Sequence, residues 1–148
     1  MTYIHQLLNN EIIFIAIISW AAAQIIKMIL DVIATGKIDW ELMFSSGGMP
    51  SSHSSFVCSM ATAVGLSRGF DSVEFAISFV LAIVVMYDAA GVRRAAGSHA
   101  VVINKLLDNL NIKIDENLKE LLGHTPIQVG AGAILGIIIA IIYKLCFK

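Results

Sequence analysis

The chain has 148 residues, of which 57% are hydrophobic and 14% charged, and its formal net charge at pH 7 is −1. Soluble domains carry about 25% charged residues, so this composition excludes intrinsic disorder, a soluble coiled coil and a basic surface for nucleic acid. The mean hydropathy of +0.81 instead predicts a small polytopic membrane protein. Cys58 and Cys146 both lie in apolar stretches, and we interpret them as buried free thiols rather than as a disulfide.

Four stretches are apolar and long enough to form transmembrane helices. The first covers about residues 12–34, and its segment 12–30 carries a single charge over a length that crosses a bilayer core of ~30 Å. The others cover about residues 50–67, 73–91 and 126–145. The second and fourth begin with Pro50 and Pro126, and proline is favoured as the first residue of a helix, where its missing N–H costs nothing. We therefore predict that each proline begins its helix.

The segment 97–123 is less apolar and has a different pattern. Its large apolar residues recur at three- and four-residue spacing, which predicts two short amphipathic helices that lie on the membrane surface or cap the bundle. These residues are Val102, Ile103, Leu106, Leu107 and Leu110, followed by Ile114, Leu118, Leu121 and Leu122. The predicted fold is all-α, a single polytopic membrane helix bundle with about four transmembrane helices plus short amphipathic cap helices.

The basic residues of the loops indicate an orientation. If the N-terminus is outside, the inner loops carry Lys37, Arg93, Arg94, Lys105, Lys113 and Lys119, and the outer side carries Arg68, Lys144 and Lys148. Cytoplasmic loops are enriched in such residues, so this orientation is favoured. Without the paired arginines the difference falls to four against three. We expect an integral protein of a prokaryotic plasma membrane.

Polar groups at membrane depth are costly and therefore call for an explanation. In the first span, Gln24, Lys27 and Asp31 lie on one helical face together with Trp20. One interpretation is that Lys27 snorkels to the surface and pairs with Asp31. The other is that Lys27 points into a polar site at the end of the bundle.

The segment 47–55, Gly-Gly-Met-Pro-Ser-Ser-His-Ser-Ser, precedes and begins the second span. Glycines such as Gly48 allow a ligand to approach the backbone closely, and a helix N-terminus offers unpaired N–H groups and partial positive charge to an anion. One serine would suffice to cap this helix. Because four serines and His53 exceed that need, we predict an anion site that includes Ser51 and Ser52.

Two further segments carry side chains suited to phosphate chemistry. Arg93 and Arg94 follow the third span, where paired arginines serve either as topology signals or as bidentate phosphate ligands. Asp88 could orient an arginine or a histidine. His124 immediately precedes the fourth span, with Thr125 as a plausible N-cap.

With four alternating spans, all of these groups fall on the same membrane face. This predicts one site containing lysine, arginines, serines, backbone amides and histidines, an inventory that suits an oxyanion, most simply a phosphate. Its histidines and Asp88 could alternatively ligate zinc in a structural or transport subunit, but the neighbouring cations would repel a metal ion. We therefore expect no metal and no cofactor.

The motifs at these positions resemble a known family. Residues 50–53, Pro-Ser-Ser-His, resemble the Pro-Ser-Gly-His motif of the type 2 phosphatidic acid phosphatase superfamily, which includes the vanadium haloperoxidases. Residues 122–126, Leu-Gly-His-Thr-Pro, resemble its final motif, in which a histidine precedes a helix. Together with Asp88 and the Gly-Val-Arg-Arg run at 91–94, they resemble its divergent branch of small membrane proteins, over residues 24–136.

The resemblance implies a phosphatase that acts on a lipid phosphate or polyprenyl diphosphate through a phosphohistidine. It assigns His124 as the nucleophile and His53 as the general acid, and Asp88 is our choice for the carboxylate that orients the nucleophile, with Asp31 and Glu120 as alternatives. The implied phosphate ligands are Lys27, Gly48, Ser51, Ser52, Arg93 and Arg94. Membrane lipids are the expected surroundings, and a homodimer would complete the six-helix core of the superfamily, with close contacts at Gly130, Gly132 and Gly136.

Two departures from the superfamily pattern favour an alternative function. Leu118 stands where the final motif has an arginine, and Gln128 stands where it has the aspartate that orients the nucleophile. A second registration of the motif uses Arg93 and His99, with Asn104 near the position of the aspartate. The alternative is a phosphate- or phospholipid-binding membrane protein that has lost turnover.

Overall fold

A computed structural model describes residues 2–37, 40, 48–110, 112, 118 and 123–147. These residues form α-helices and no strand, so the prediction of an all-α fold is confirmed. The helices are α1 (Tyr3–Leu8), α2 (Glu11–Thr35), α3 (Ser52–Arg68), α4 (Val73–Ala90), α5 (Val92–Asn109) and α6 (Pro126–Cys146).

The starts of α2, α3, α4 and α6 follow from local capping groups. Asn10 caps α2 by accepting hydrogen bonds from the backbone of the first turn, and Thr125 caps α6. Pro126 is the first residue of α6, as predicted. The prediction for Pro50 is wrong, because Ser51 is the N-cap of α3 and the helix begins at Ser52. Pro50 therefore precedes the helix, and its peptide bond to Met49 is cis.

Among the described residues, three helical segments are long and apolar enough to cross a membrane: Glu11–Thr35, Val73–Asn109 and Pro126–Cys146. Three of the four predicted spans are thus found among the candidate spans. Helix α3 is the predicted span that is not among them. It has 17 residues, and these include serines that are buried in the protein. A helix of this length is about 25 Å long.

Helix α3 is the centre of the bundle and packs against α2, α4 and α6. Its contact with α6 is close because that helix presents glycines: a Cβ atom at Gly132 would lie 3.1 Å from the carbonyl carbon of Ser51. A Cβ atom at Gly136 would lie 2.9 Å from the backbone nitrogen of Ser59. These two glycines are thus used within the chain, whereas Gly130 has open space around it. The homodimer stays a prediction. Of the three glycines proposed for its contacts, Gly130 alone is not already packed against α3.

Contacts at both ends show that α3 runs antiparallel to α2 and α4 and parallel to α6. At one end, the start of α2 meets the ends of α3 and α6, since Glu11 accepts a hydrogen bond from Ser67 and forms an ion pair with Lys144. At the other end, the loop before α6 contacts the end of α4, where the backbone N–H of His124 donates to Ala89. Helix α3 therefore runs between the same two ends as its three neighbours.

Helix α5 continues α4 after a single intervening residue, Gly91. It corresponds to the first predicted cap helix, but it begins earlier, at Val92. The second predicted cap helix falls on residues 111–122, of which the structure describes Ile112 and Leu118 alone. Cys58 is buried as predicted, whereas Cys146 is exposed, which corrects the interpretation of that thiol.

Candidate anion-binding site

The site lies where the loop before α3, the end of α4 and the loop before α6 are tied together. The backbone N–H of Ser51 donates to the carbonyl of Gln128 at 3.1 Å, and that of His124 donates to Ala89 at 2.9 Å. Gly123 adopts a φ of +86°, and a Cβ atom there would lie 2.8 Å from the carbonyl carbon of Arg93. The start of α5 and the loop before α6 are therefore in backbone contact.

Lys27 brings α2 into the same site. Its side chain is 2% exposed, so the interpretation that it snorkels to the surface is wrong. Its methylene stem lies against Gly48, where a Cβ atom would be 3.0 Å from Cγ and Cδ of the lysine. Gly48 has a φ of +87°, a conformation that favours glycine. Its lack of a side chain also leaves room for the lysine.

The two predicted catalytic histidines face each other. The rings of His53 and His124 have their centroids 6.3 Å apart and cross at 60°. His124 is 1% exposed, and neither of its ring nitrogens makes a hydrogen bond in the part of the chain that the structure describes. Buried polar atoms are normally bonded, so these two nitrogens call for a partner that the described residues do not supply.

The surroundings of His124 favour its neutral form. Burial lowers the pKa of His124 below its ordinary value, and the positive charges of Lys27 and His53 act in the same direction. The side chain of Gln128 and the backbone of Gly48 act to raise the pKa of His124, although neither forms a hydrogen bond with its ring nitrogens. A neutral imidazole has a free lone pair, which a nucleophile requires.

The serines of this segment have mainly structural partners. Ser51 is the N-cap, whose hydroxyl accepts from the backbone of Ser54 at 3.4 Å and from its hydroxyl at 3.0 Å. Ser55 bonds to Ser19 of α2, with the two hydroxyl oxygens 2.6 Å apart. Ser52 is buried beside them. The sequence pattern assigns the additional serines to an anion site. Their hydrogen bonds show that helix packing accounts for part of this excess.

Asp88 and Arg93 form an ion pair at the outer part of the site, with Nε of the arginine 2.7 Å from Oδ2 of the aspartate. Asp88 therefore orients an arginine, whereas we chose it to orient the nucleophilic histidine. The pair adjoins His124, because Ala89, the residue after Asp88, accepts a hydrogen bond from the backbone N–H of that histidine. The side chain of Arg94 is exposed.

The positions that depart from the superfamily pattern have structural roles. The side-chain oxygen of Gln128 accepts from the backbone of Thr125 at 2.9 Å, which completes a capping box at the start of α6. The side chain of Asn104 bonds to the backbone N–H and carbonyl of Leu118. His99, the histidine of the second registration, is exposed on α5. Asp31 is half-buried, and Glu120 and Gly47 lie outside the described residues.

Two groups that support the site were missed by the sequence analysis. Ser19 looks like one polar residue in an apolar span, and its partner on α3 is 36 residues away. Gly123 belongs to the motif at 122–126, but nothing in the sequence indicates its contact with the start of α5. The order Gly-His immediately before a capped helix is the signal that could have pointed to a left-handed turn there.

A buried lysine, two facing histidines and a helix N-terminus can hold an oxyanion and transfer a proton to it. Among the described residues, no group of three or more histidine, cysteine, aspartate or glutamate side chains is placed to hold a metal ion. Fold and site thus define an α-helical membrane protein with a cationic, histidine-containing site at one end of its bundle.

Comparison with known proteins identifies the family. The family model described as "Divergent PAP2 family" matches residues 8–139, and the chain belongs to this family, as the motifs predicted. The chain is also similar to a protein of Bacillus subtilis (strain 168) named "Uncharacterized membrane protein YuiD". The two are 40% identical over 156 aligned positions, which cover 96% of this chain and 99% of the relative. No solved structure matches the chain.

Proposed function

We propose that this protein is a metal-independent membrane phosphatase that hydrolyses a lipid phosphate or a polyprenyl diphosphate through a phosphohistidine. The observation that carries the proposal is the buried ring of His124, whose nitrogens have no hydrogen bond within the described residues and which faces His53. A buried, neutral histidine between cationic groups is suited to attack phosphorus.

In this mechanism the phosphate binds next to Lys27, at the N-terminus of α3. The ammonium group and the first-turn N–H groups neutralise the charge that develops on its oxygens. His124 attacks the phosphorus, the bond to the ester oxygen breaks, and His53 donates a proton to the departing oxygen. Water then hydrolyses the phosphohistidine and releases inorganic phosphate.

A second candidate is a protein of the same fold that binds phosphate or phospholipid without turnover. It is favoured by the engagement of Gln128 in the capping box and of Asp88 with Arg93. Neither side chain supplies a carboxylate to His124, and such a partner stabilises the imidazolium in many histidine-dependent enzymes.

The decisive experiment is phosphate release from lipid phosphates and polyprenyl diphosphates by the purified protein, with acid-quenched samples analysed for phosphohistidine. We expect release and labelling to be lost in His124→Ala and retained in His99→Ala, a matched control on the exposed face of α5. Saturable binding of lipid phosphate with no release in the wild type would favour the second candidate. Unchanged release in His124→Ala would contradict the assignment of the nucleophile.

We further propose that the protein lies in a prokaryotic plasma membrane with the site at the cytoplasmic face. The support is the excess of basic residues at the site end, among them Lys37 and Lys105. Cys146 is exposed near the opposite end, beside Lys144 of the ion pair. In intact cells, a membrane-impermeant maleimide should label the wild type and not Cys146→Ser. Labelling only after the cells are opened would reverse the orientation.

A further inference from the structure

The polar groups of the site lie at two depths. Lys27 and His124 are almost fully buried, whereas the side chains of Arg93 and Asp88 are 46% and 40% exposed. His53 faces His124, and the outer pair adjoins the same histidine, because the backbone N–H of His124 donates to Ala89, the residue after Asp88. The site therefore has a buried inner cation and a half-exposed outer cation.

The ion pair leaves most of the arginine available to a ligand. Asp88 engages the Nε–H of Arg93, while a guanidinium carries four further N–H donors on its two terminal nitrogens. Such a terminal pair of nitrogens binds phosphate oxygens in a bidentate manner. A carboxylate that holds Nε also restricts the rotation of a long, half-exposed side chain, which lowers the entropy that is lost on binding.

We propose that Asp88 is a positioning residue for Arg93, and that Arg93 binds a second phosphate group outside the one held beside Lys27. The site then recognises a diphosphate end group in preference to a monophosphate. This inference rests on the proposed function and extends it to the class of substrate.

The reaction follows from this arrangement. His124 attacks the terminal phosphorus, and the bond to the bridging oxygen breaks. The electron pair stays on that oxygen, which takes the proton of His53 and leaves as a lipid monophosphate. Arg93 neutralises the charge of this leaving phosphate, which a monophosphate substrate would lack. Water completes the cycle by hydrolysing the phosphohistidine.

The test is the binding of inorganic phosphate and of pyrophosphate to the full chain in detergent, measured by calorimetry. A phosphate ion can occupy the inner position alone, whereas pyrophosphate reaches both. We expect the wild type to bind pyrophosphate more tightly, and Asp88→Asn and Arg93→Gln each to reduce that preference roughly tenfold, with phosphate affinity unchanged. Combining the two substitutions should add little, and Asp88→Glu should restore part of the preference.

The controls separate this inference from the proposed function. Asp108→Asn removes a carboxylate from the far end of α5 and should leave both affinities unchanged. Lys27→Met should weaken the binding of both anions, and a wild type that binds neither anion would overturn the proposed function itself. Equal affinities in the wild type, or an unchanged preference in Asp88→Asn, would overturn the inference alone. So would a loss in Asp88→Asn that affects both anions equally.

Discussion

We expect the contact between α3 and α6 to position the proposed anion site, and Gly132→Ala tests this directly. The added methyl group would overlap the carbonyl oxygen of Ser51, which is backbone and cannot rotate away. Restoring an ordinary contact of about 3.5 Å requires the two helices to separate by roughly 1 Å. Ser51 is also the N-cap of α3 and is bonded to Gln128, so the separation displaces the site.

Overpacking of this kind typically costs 1–3 kcal/mol, and we expect Gly132→Ala to lower the unfolding midpoint in detergent by several degrees. Phosphate binding should weaken at least as much, because the first turn of α3 moves relative to His124. The matched control is Gly130→Ala, on the same helix but with open space around the added methyl group. Alanine is the better helix former, so this variant should be as stable as the wild type or more so. If both variants behaved alike, the close packing of α3 on α6 would not be what positions the site.

Three further predictions concern other parts of the molecule. Because burial lowers the pKa of His124, we expect kcat/KM for hydrolysis to fall in acid only below pH 6.5, the ordinary histidine value. Lys27→Met removes a positive charge and should move this decline to higher pH. A decline that begins above pH 6.5 in the wild type would contradict this explanation. Gly123→Ala should weaken phosphate binding about tenfold or more, as calorimetry would detect, since its φ of +86° and its contact with the start of α5 both disfavour a side chain. At the opposite end, Glu11→Gln should lower thermal stability slightly through loss of the Lys144 pair and leave phosphate affinity unchanged; a change in affinity would show that the two ends are coupled.

The helices could be predicted from sequence where one physical signal dominates. Apolar length located α2 and α6, and Thr125 with Pro126 located the start of α6 to the residue. The prediction for Pro50 failed because proline also occurs before an N-cap, and the serine that follows it took the capping role. Apolar length also suggested that α3 resembles the other spans, whereas its small and polar residues reflect contacts with three neighbours.

The site could be predicted as a group of segments but not as a set of bonds. Alternation of helices is enough to bring Lys27, His53 and His124 to one end. The pairing of Asp88 with Arg93 depends on the geometry of a break at Gly91, which no spacing rule specifies. Likewise, the sequence pattern indicates that Gln128 replaces the aspartate of the superfamily motif. Its capping hydrogen bond to Thr125 is apparent only from the geometry of the helix.

The polar, centrally placed α3 has a consequence for biogenesis. A segment with four serines and a histidine in its first turns gains little by partitioning alone from the translocon into lipid, because such insertion depends on the apolarity of each segment. Its hydroxyl and glycine-mediated contacts exist only once α2 and α6 are present. We therefore expect α3 to be retained at the insertion machinery until the last helix is synthesised, so that nascent chains truncated before α6 leave it accessible to water and to proteases.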